Sequence, residues 1–333
     1  MKIRYDHSWE NSSGLIRSDF VVKSLKSRGY DIDYIKHDEV ATFKDSIFVI
    51  TKVHNFKTFK REHPDHWEQI IKENIVIHDV VDWDYDKKAS VRKLFRSVNT
   101  GDPIEMTEAA DYICCGCENL KNNYETITDK PLHFIEDYSV VPFVEPRQDK
   151  ALNIVWFGIN MGWNYTYMKE RFFDPIARSD LNVNFKVVTN TRLSHDFSTG
   201  FYYSEKVKIE YIQWNRDDWT NHLETANICV IPIPEKNQFT FSKGHVRILD
   251  SIRNGLYTIA GYLPAYEKFY NFSSISEEID IVKELKYYIE NQEECIKKVK
   301  AGQTFIKENY NSEVVVDRWQ HYFETVYENS INH

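Results

Sequence analysis

What most narrows the fold of this chain is an alternation: short apolar runs of strand length are separated by stretches whose apolar residues repeat at helical spacing, and the pattern occurs twice. Strand and helix in regular succession is the signature of a parallel sheet covered by helices on both faces. In the first half Lys2–Tyr5 predicts an opening strand, and Leu15–Arg28 a helix with Ile16, Phe20 and Leu25 on a common side and Gly29 as its cap. Strands at Tyr30–Ile35 and Ser46–Thr51, a helix over Asp65–Glu73 and a nearly continuous apolar strand at Asn74–Val81 follow, then shorter strands at Ala110–Cys115 and Leu132–Ile135.

Pro142–Lys150 (PFVEPRQDK) has the composition of a linker, and a second series opens at Leu152–Gly158. It continues with a helix near Tyr165–Arg178, strands at Asn184–Thr189 and Val207–Tyr211, a helix at Trp219–Thr225 and a strand at Ile228–Ile233 closed by Pro232 and Pro234. Helices at Ser276–Asn291, Glu293–Asn309 and Ser312–Glu328 end the chain. The last carries an apolar stripe of Val315, Trp319, Tyr322 and Val326. The expected class is therefore α/β, with two α/β series joined by one linker.

Composition bounds the function. With 333 residues, 42% of them hydrophobic, two ordinary cores can form. A net charge of −9 argues against nucleic acid as the main partner. No transmembrane segment is expected, and MKIRYDHSWENSS lacks the apolar region of a secretory signal, so the reading is cytoplasmic, with a peripheral membrane position left open. Five cysteines, three of them in Cys114-Cys115-Gly116-Cys117, fit buried thiols better than a disulfide framework or a zinc site.

Phe239–Glu267 (FTFSKGHVRILDSIRNGLYTIAGYLPAYE) carries the densest chemistry. A polar loop runs into a short amphipathic helix with Val246, Leu249 and Ile252 at helical spacing, Gly255 caps it, and Leu256–Ala260 reads as a buried strand. Lys243 and Arg247 stand one turn apart at the helix start, with Gly244 permitting close approach, a sensible place for an anion. Asp250 lies further along much the same face, where a carboxylate can accept from ribose hydroxyls. The pattern suggests a diphosphate with a sugar on either side.

Lys243-Gly244-His245-Val246-Arg247-Ile248-Leu249-Asp250, Gly255 and Pro264-Ala265-Tyr266-Glu267 together resemble the donor-site segment of GT-B glycosyltransferases of the group 1 (GT4-like) kind. Asp250 stands where that family usually has Glu, Ser242 where many members have the first Glu of a pair, and Leu256 where Pro is usual. The resemblance covers most of the chain in element order but specific motifs only from about Leu152 to Glu267. It implies two Rossmann-like domains facing across a cleft, residues 1–146 on the acceptor side and 151–311 binding the nucleotide-sugar, with a C-terminal helix from Ser312 crossing back to the first. The implied activity moves a sugar from a nucleotide-sugar to a hydroxyl of a glycan, polysaccharide or glycolipid, with no metal or other cofactor and a lean toward retention. Lys243 and Arg247 would stabilise the leaving diphosphate, while Gly158, Asn160, Trp214, Ser242, Gly244, His245 and Asp250 would contact the donor. A nucleotide-sugar 2-epimerase of the same architecture and a non-catalytic nucleotide- or sugar-binding module are the alternatives.

Other candidates have two readings each. Gly158-Ile159-Asn160-Met161-Gly162 is a donor loop or only a tight turn, and no cation follows it before Lys169. Trp214 stacks on a base or packs the surface. His7, beside Asp6 and followed by Ser13, Gly14 and Arg17, is a general base for the acceptor or a polar strand end. His78 is a second cleft-facing histidine or a satisfied near-surface group. Asp82-Trp83-Asp84-Tyr85-Asp86 mimics the metal-binding DXD element of GT-A glycosyltransferases, or is a solvated acidic loop.

Overall fold

The structure, a computed structural model, describes residues 1–6, 14–83, 85, 102–159, 163–189 and 204–331. The chain divides into two compact units: Met1–Tyr138 with Asn237–Gly244 and Tyr310–His333, and Ser139–Lys236 with His245–Asn309.

In the first unit the strands are β1 (Lys2–Tyr5), β2 (Asp31–Tyr34), β3 (Ile47–Thr51), β4 (Ile75–Val80), β5 (Tyr112–Cys115) and β6 (Leu132–Phe134). All pair in parallel, in the order β2-β1-β3-β4-β5-β6. The helices are α1 (Phe20–Ser27), entered through a π-helical turn at Gly14–Asp19, then α2 (Val53–Glu62), α3 (Pro64–Glu73), α4 (Asp102–Ala109) and α5 (Glu118–Tyr124). The period-two alternation of the strands divides the core. From β3, Ile47 and Val49 face one cluster with Ile77 of β4, whereas Phe48 and Ile50 face another with Val76 and Val80. The second cluster is covered by Phe56, Phe59, Trp67, Ile70, Met106, Leu120 and Tyr124 from α2 to α5.

The other face is covered by α1 and by the last helix. Val315, Trp319, Tyr322 and Val326 pack against Ile3, Tyr5, Val21 and Leu25, so the C-terminal stripe read from the sequence completes the core of the first unit. Arg28 ties that helix down through Glu313, Asp317 and Gln320.

The second unit is built from β7 (Leu152–Phe157), β8 (Val183–Thr189), β9 (Val207–Gln213), β10 (Ile228–Ile231), β11 (Tyr257–Gly261) and β12 (Ser274–Ser276). These too are all parallel, in the order β12-β11-β10-β7-β8-β9. Its helices are α6 (Trp163–Met168), joined by a π-helical turn to α7 (Asp174–Arg178), then α8 (Trp219–Leu223). The short α9 (Gln238–Phe241) falls in the first unit, and α10 (Val246–Arg253), α11 (Ile281–Glu290) and α12 (Gln292–Asn309) return to the second. The final helix of the first unit is α13 (Ser312–Ile331).

Three details differ from the sequence reading. Val53–Glu62, Asp102–Ala109 and Glu118–Tyr124 are helical although their apolar pattern is weak. Residues 274–276 form an edge strand where a helix is expected to begin, because Asp280 caps α11 four residues later. The segment of linker composition is fastened over its first half: Val144 N–H donates to Arg253 O at 2.8 Å, Arg253 Nε to Val141 O at 2.6 Å and Gln303 Nε2 to Val144 O at 2.8 Å. Gly255 makes this possible. Its φ is +76°, and a Cβ there would come within 2.6 Å of Val144 O. Among the described residues no helix is long and apolar enough to cross a membrane.

Candidate functional site

Open parallel sheets bind ligands beyond the carboxyl ends of their strands, where successive connections leave in opposite directions. In the second unit that point lies between β7 and β10, because β8 and β9 extend the sheet on one side and β10, β11 and β12 on the other. The residue that leaves β7 is Gly158, at φ +152°. The next helix of the second unit after β10 is α10, which starts without a side-chain cap and carries Arg247 in its first turn. Nη1 of Arg247 lies 3.4 Å from where a Cβ on Gly158 would stand. The guanidinium, partly exposed, has neither a hydrogen bond nor a carboxylate partner among the described residues. In a chain of net charge −9, a cation without a described partner at the switch point has the charge to attract an anion.

Asp250, one turn on, is buried and accepts from Ser139 Oγ at 2.5 Å. Its carboxylate is thus partly spent on holding the chain ahead of β7. Trp214 is half-buried at the carboxyl end of the edge strand β9, its N–H donating to Thr189 O at 2.7 Å. His245 ends up inside, against the ring of Phe269, and its carbonyl starts α10 by accepting from Ile248 and Leu249. Lys169 is paired with Asp174 at 2.9 Å.

Lys243 and Ser242 belong to the first unit. Their segment is held by α5: Cys117 Sγ donates to Ser242 O at 3.1 Å, Asn119 Nδ2 to Phe241 O at 2.7 Å and Asn123 Nδ2 to Ser242 Oγ at 2.7 Å. Ser242 is fully buried, and its hydroxyl takes part in this attachment. Lys243 Nζ stands 4.0 Å over the ring of Phe239 and pairs with Asp82, whose other oxygen is 3.6 Å from Lys52 Nζ. Burial raises the Asp82 carboxyl, and the two ammonium groups outweigh it, bringing the pKa down to about 2. A Cβ on Gly244 would come within 3.0 Å of Asp137 Oδ2, so this glycine admits a carboxylate of its own unit.

The described acceptor-side candidates are buried as well. Arg17 is 1% exposed. Its Nε donates to both oxygens of Asp79 at 2.9 and 3.1 Å, and Nη1 to Ile135 O at 2.7 Å and Asp137 Oδ1 at 3.0 Å. Burial works against its charge, but Asp79 and Asp137 hold its pKa well above the usual value. Gly14 is buried and accepts from Ser18 Oγ at the start of the π-helical turn. His78 is 1% exposed, edge-on to Tyr124, with both ring nitrogens unpartnered, and burial lowers its pKa to about 3. It is a neutral core side chain. His7, Ser13 and Asn160 lie outside the described residues, as do Asp84 and Asp86 of the acidic run. The five cysteines are buried free thiols whose pKa values burial raises.

Lys52 and Ser139 were missed by the sequence reading. Lys52 directly follows the apolar run of β3, the same strand-end position that singles out Gly158 after β7. Nothing in the sequence around Ser139 points to Asp250, 111 residues away.

No protein-family model and no curated protein matches the sequence. Solved structures do match in shape. A variant of TarM from S. aureus, in complex with fondaparinux, α-GlcNAc-glycerol and UDP, aligns over 91% of this chain and 58% of its own at 11% identity and TM-score 0.59. The chain therefore spans little more than half the length of that protein. Sucrose-phosphate synthase from Thermosynechococcus elongatus aligns over 94% of this chain and 80% of its own at 10% identity and TM-score 0.60. WaaG, a glycosyltransferase involved in lipopolysaccharide biosynthesis, aligns over 96% of both chains at 9% identity and TM-score 0.59. With two parallel six-stranded sheets and these likenesses, the chain has the fold of the GT-B glycosyltransferases.

Proposed function

We propose that the chain is a glycosyltransferase that moves a sugar from a nucleotide-sugar to the hydroxyl of a glycan, polysaccharide or glycolipid, without a metal. The observation that carries the reading is Arg247 beside Gly158 at the switch point of the second sheet, without a partner among the described residues. A cation fixed there offsets the charge that builds on a leaving diphosphate, the work that a pre-organised electrostatic site does for such a departure. Trp214 is the stacking group for the base and Asp250 the ribose acceptor. His7 keeps its part as base on the acceptor side from sequence alone. The UDP bound in TarM and the transferase activity of WaaG support the class.

The test is a thermal-shift panel of nucleoside diphosphates and their sugars on the full chain, since a ligand of the folded state raises its stability by mass action. Stabilisation by one nucleoside diphosphate, followed by sugar transfer in an acceptor screen, is the expected result. Rearranged sugar formed with donor alone would mean an epimerase. Binding without turnover across the screen would mean a binding module.

A further inference from the structure

The first unit has a switch point of its own. Its sheet runs β2-β1-β3-β4-β5-β6, so connections leave in opposite directions between β1 and β3. The residue that leaves β3 is Lys52, which takes φ +68° and ψ 145° although it is not glycine. Beyond β4 comes Asp82, and the segment fastened to α5 supplies Lys243. Two ammonium groups from separate elements thus converge on the two oxygens of one carboxylate.

The charge balance around them is specific. Asp79 and Asp137 are engaged by the buried Arg17, and Asp137 is further enclosed by Gly116 and Gly244. Lys52, Asp82 and Lys243 have side chains 25%, 24% and 33% exposed, more than any other charged group described in this cluster, and these three together carry one net positive charge. A single carboxylate between two lysines, at the place where parallel sheets take their ligands, occupies the position of an oxyanion.

We propose that Lys52 and Lys243 form a phosphate-binding site in the first unit, which Asp82 closes as an internal stand-in until a phosphate group displaces it. A phosphate offers more acceptor oxygens and up to two charges, so it can engage both lysines where Asp82 engages them with one. The inference shares Lys243 with the donor reading but requires neither nucleotide nor sugar. Two sources of the phosphate are compatible with this chemistry, the diphosphate of a donor and a phosphomonoester on an acceptor.

The experiment is calorimetry on the full chain with inorganic pyrophosphate, UDP and glycerol phosphate as probes at fixed low salt, for the wild type and for Asp82→Asn, Lys52→Gln and the double variant. Removing the stand-in should raise affinity for at least one probe by about tenfold, and Lys52→Gln should lower it several-fold and cancel the gain in the double variant. A gain with UDP and pyrophosphate assigns the site to the donor. A gain with glycerol phosphate alone assigns it to an acceptor. Melting curves identify any variant that fails to fold, and because Lys52 is partly exposed, Lys52→Gln keeps the test open if Asp82→Asn unfolds. Unchanged or weaker binding in a folded Asp82→Asn overturns the proposal, as does a gain that survives Lys52→Gln, or an absence of binding to all three probes in every variant. A wild type that ignores UDP but binds pyrophosphate through Lys52 would sink the donor reading and leave this one standing.

Discussion

Arg247 Nη1 lies 3.4 Å from the point where a side chain on Gly158 would begin, and that spacing joins the end of β7 to the first turn of α10. The backbone conformation of the glycine also makes it replaceable only at a loss. At φ +152° an L-residue is strained, while its Cβ would meet the guanidinium at ordinary contact distance.

Arg247→Ala should therefore weaken a nucleoside diphosphate by about 1.5–3 kcal/mol, the usual worth of a charge-assisted hydrogen bond. The bare nucleoside should bind as before. Gly158→Ala should weaken the fold through backbone strain. Calorimetry with circular dichroism checks this, and wild-type diphosphate affinity in a folded Arg247→Ala would remove the main support for the donor site.

Arg17 lies ten positions after the candidate catalytic His7, yet its test is a stability test. With Asp79 0% exposed and paired to it, Arg17→Met would leave a buried carboxylate uncompensated, an effect of about 3–5 kcal/mol. Urea unfolding should show that loss, and Arg17→Met combined with Asp79→Leu should recover much of it. A folded Arg17→Met of normal stability that loses only acceptor affinity would restore the acceptor-side reading.

The contrast between Arg17 and Arg247 shows what was legible beforehand. The strands, the α/β class and the apolar stripe of α13 follow from periodicity, because burial on one face leaves a mark at fixed spacing. The order of elements around Phe239–Glu267 also placed Arg247 correctly at a helix start. Partners did not follow, since Arg17 meets Asp79 and Asp137 only across sequence separations of 62 and 120 residues. Ser242 and His78 look like site residues in sequence because they flank strands and loops, and only packing shows that both face inward.

Acidity should act through His78. Unfolded, its imidazole takes up a proton as pH falls through about 6.5, whereas the buried ring does so only at about 3. Between those values the unfolded chain binds the extra proton, so stability falls as pH falls, by about 2 kcal/mol at pH 5. Urea melts at pH 7 and pH 5 should show a smaller difference for His78→Leu by that amount. An identical pH dependence in the two proteins would mean that His78 is not held neutral.

Donor binding should withstand chelation. Asp82, the one carboxylate of the acidic run at positions 82, 84 and 86 that the structure describes, is engaged by two lysines. EDTA should therefore leave nucleotide affinity and turnover unchanged. Activity abolished by EDTA and restored by Mn²⁺ would assign that run to a metal.

Asp250 poses the closing question, because one carboxylate has been given two tasks. Its bond from Ser139 fastens the chain that leads into β7, and the ribose role needs acceptor capacity beyond that bond. Ser139→Ala removes the structural partner alone, and should lower stability by about 1.5–3 kcal/mol, the range for a hydrogen bond to a charged group. Nucleoside affinity should hardly change. Asp250→Asn keeps one acceptor oxygen and loses the charge, so it should weaken nucleoside and nucleotide diphosphate by the same factor, unlike Arg247→Ala, which spares the nucleoside. If Ser139→Ala reduces nucleoside affinity as far as Asp250→Asn does, Asp250 acts through the segment it holds. If neither substitution affects it, the ribose is read elsewhere, and Asp250 is a strut of the second unit.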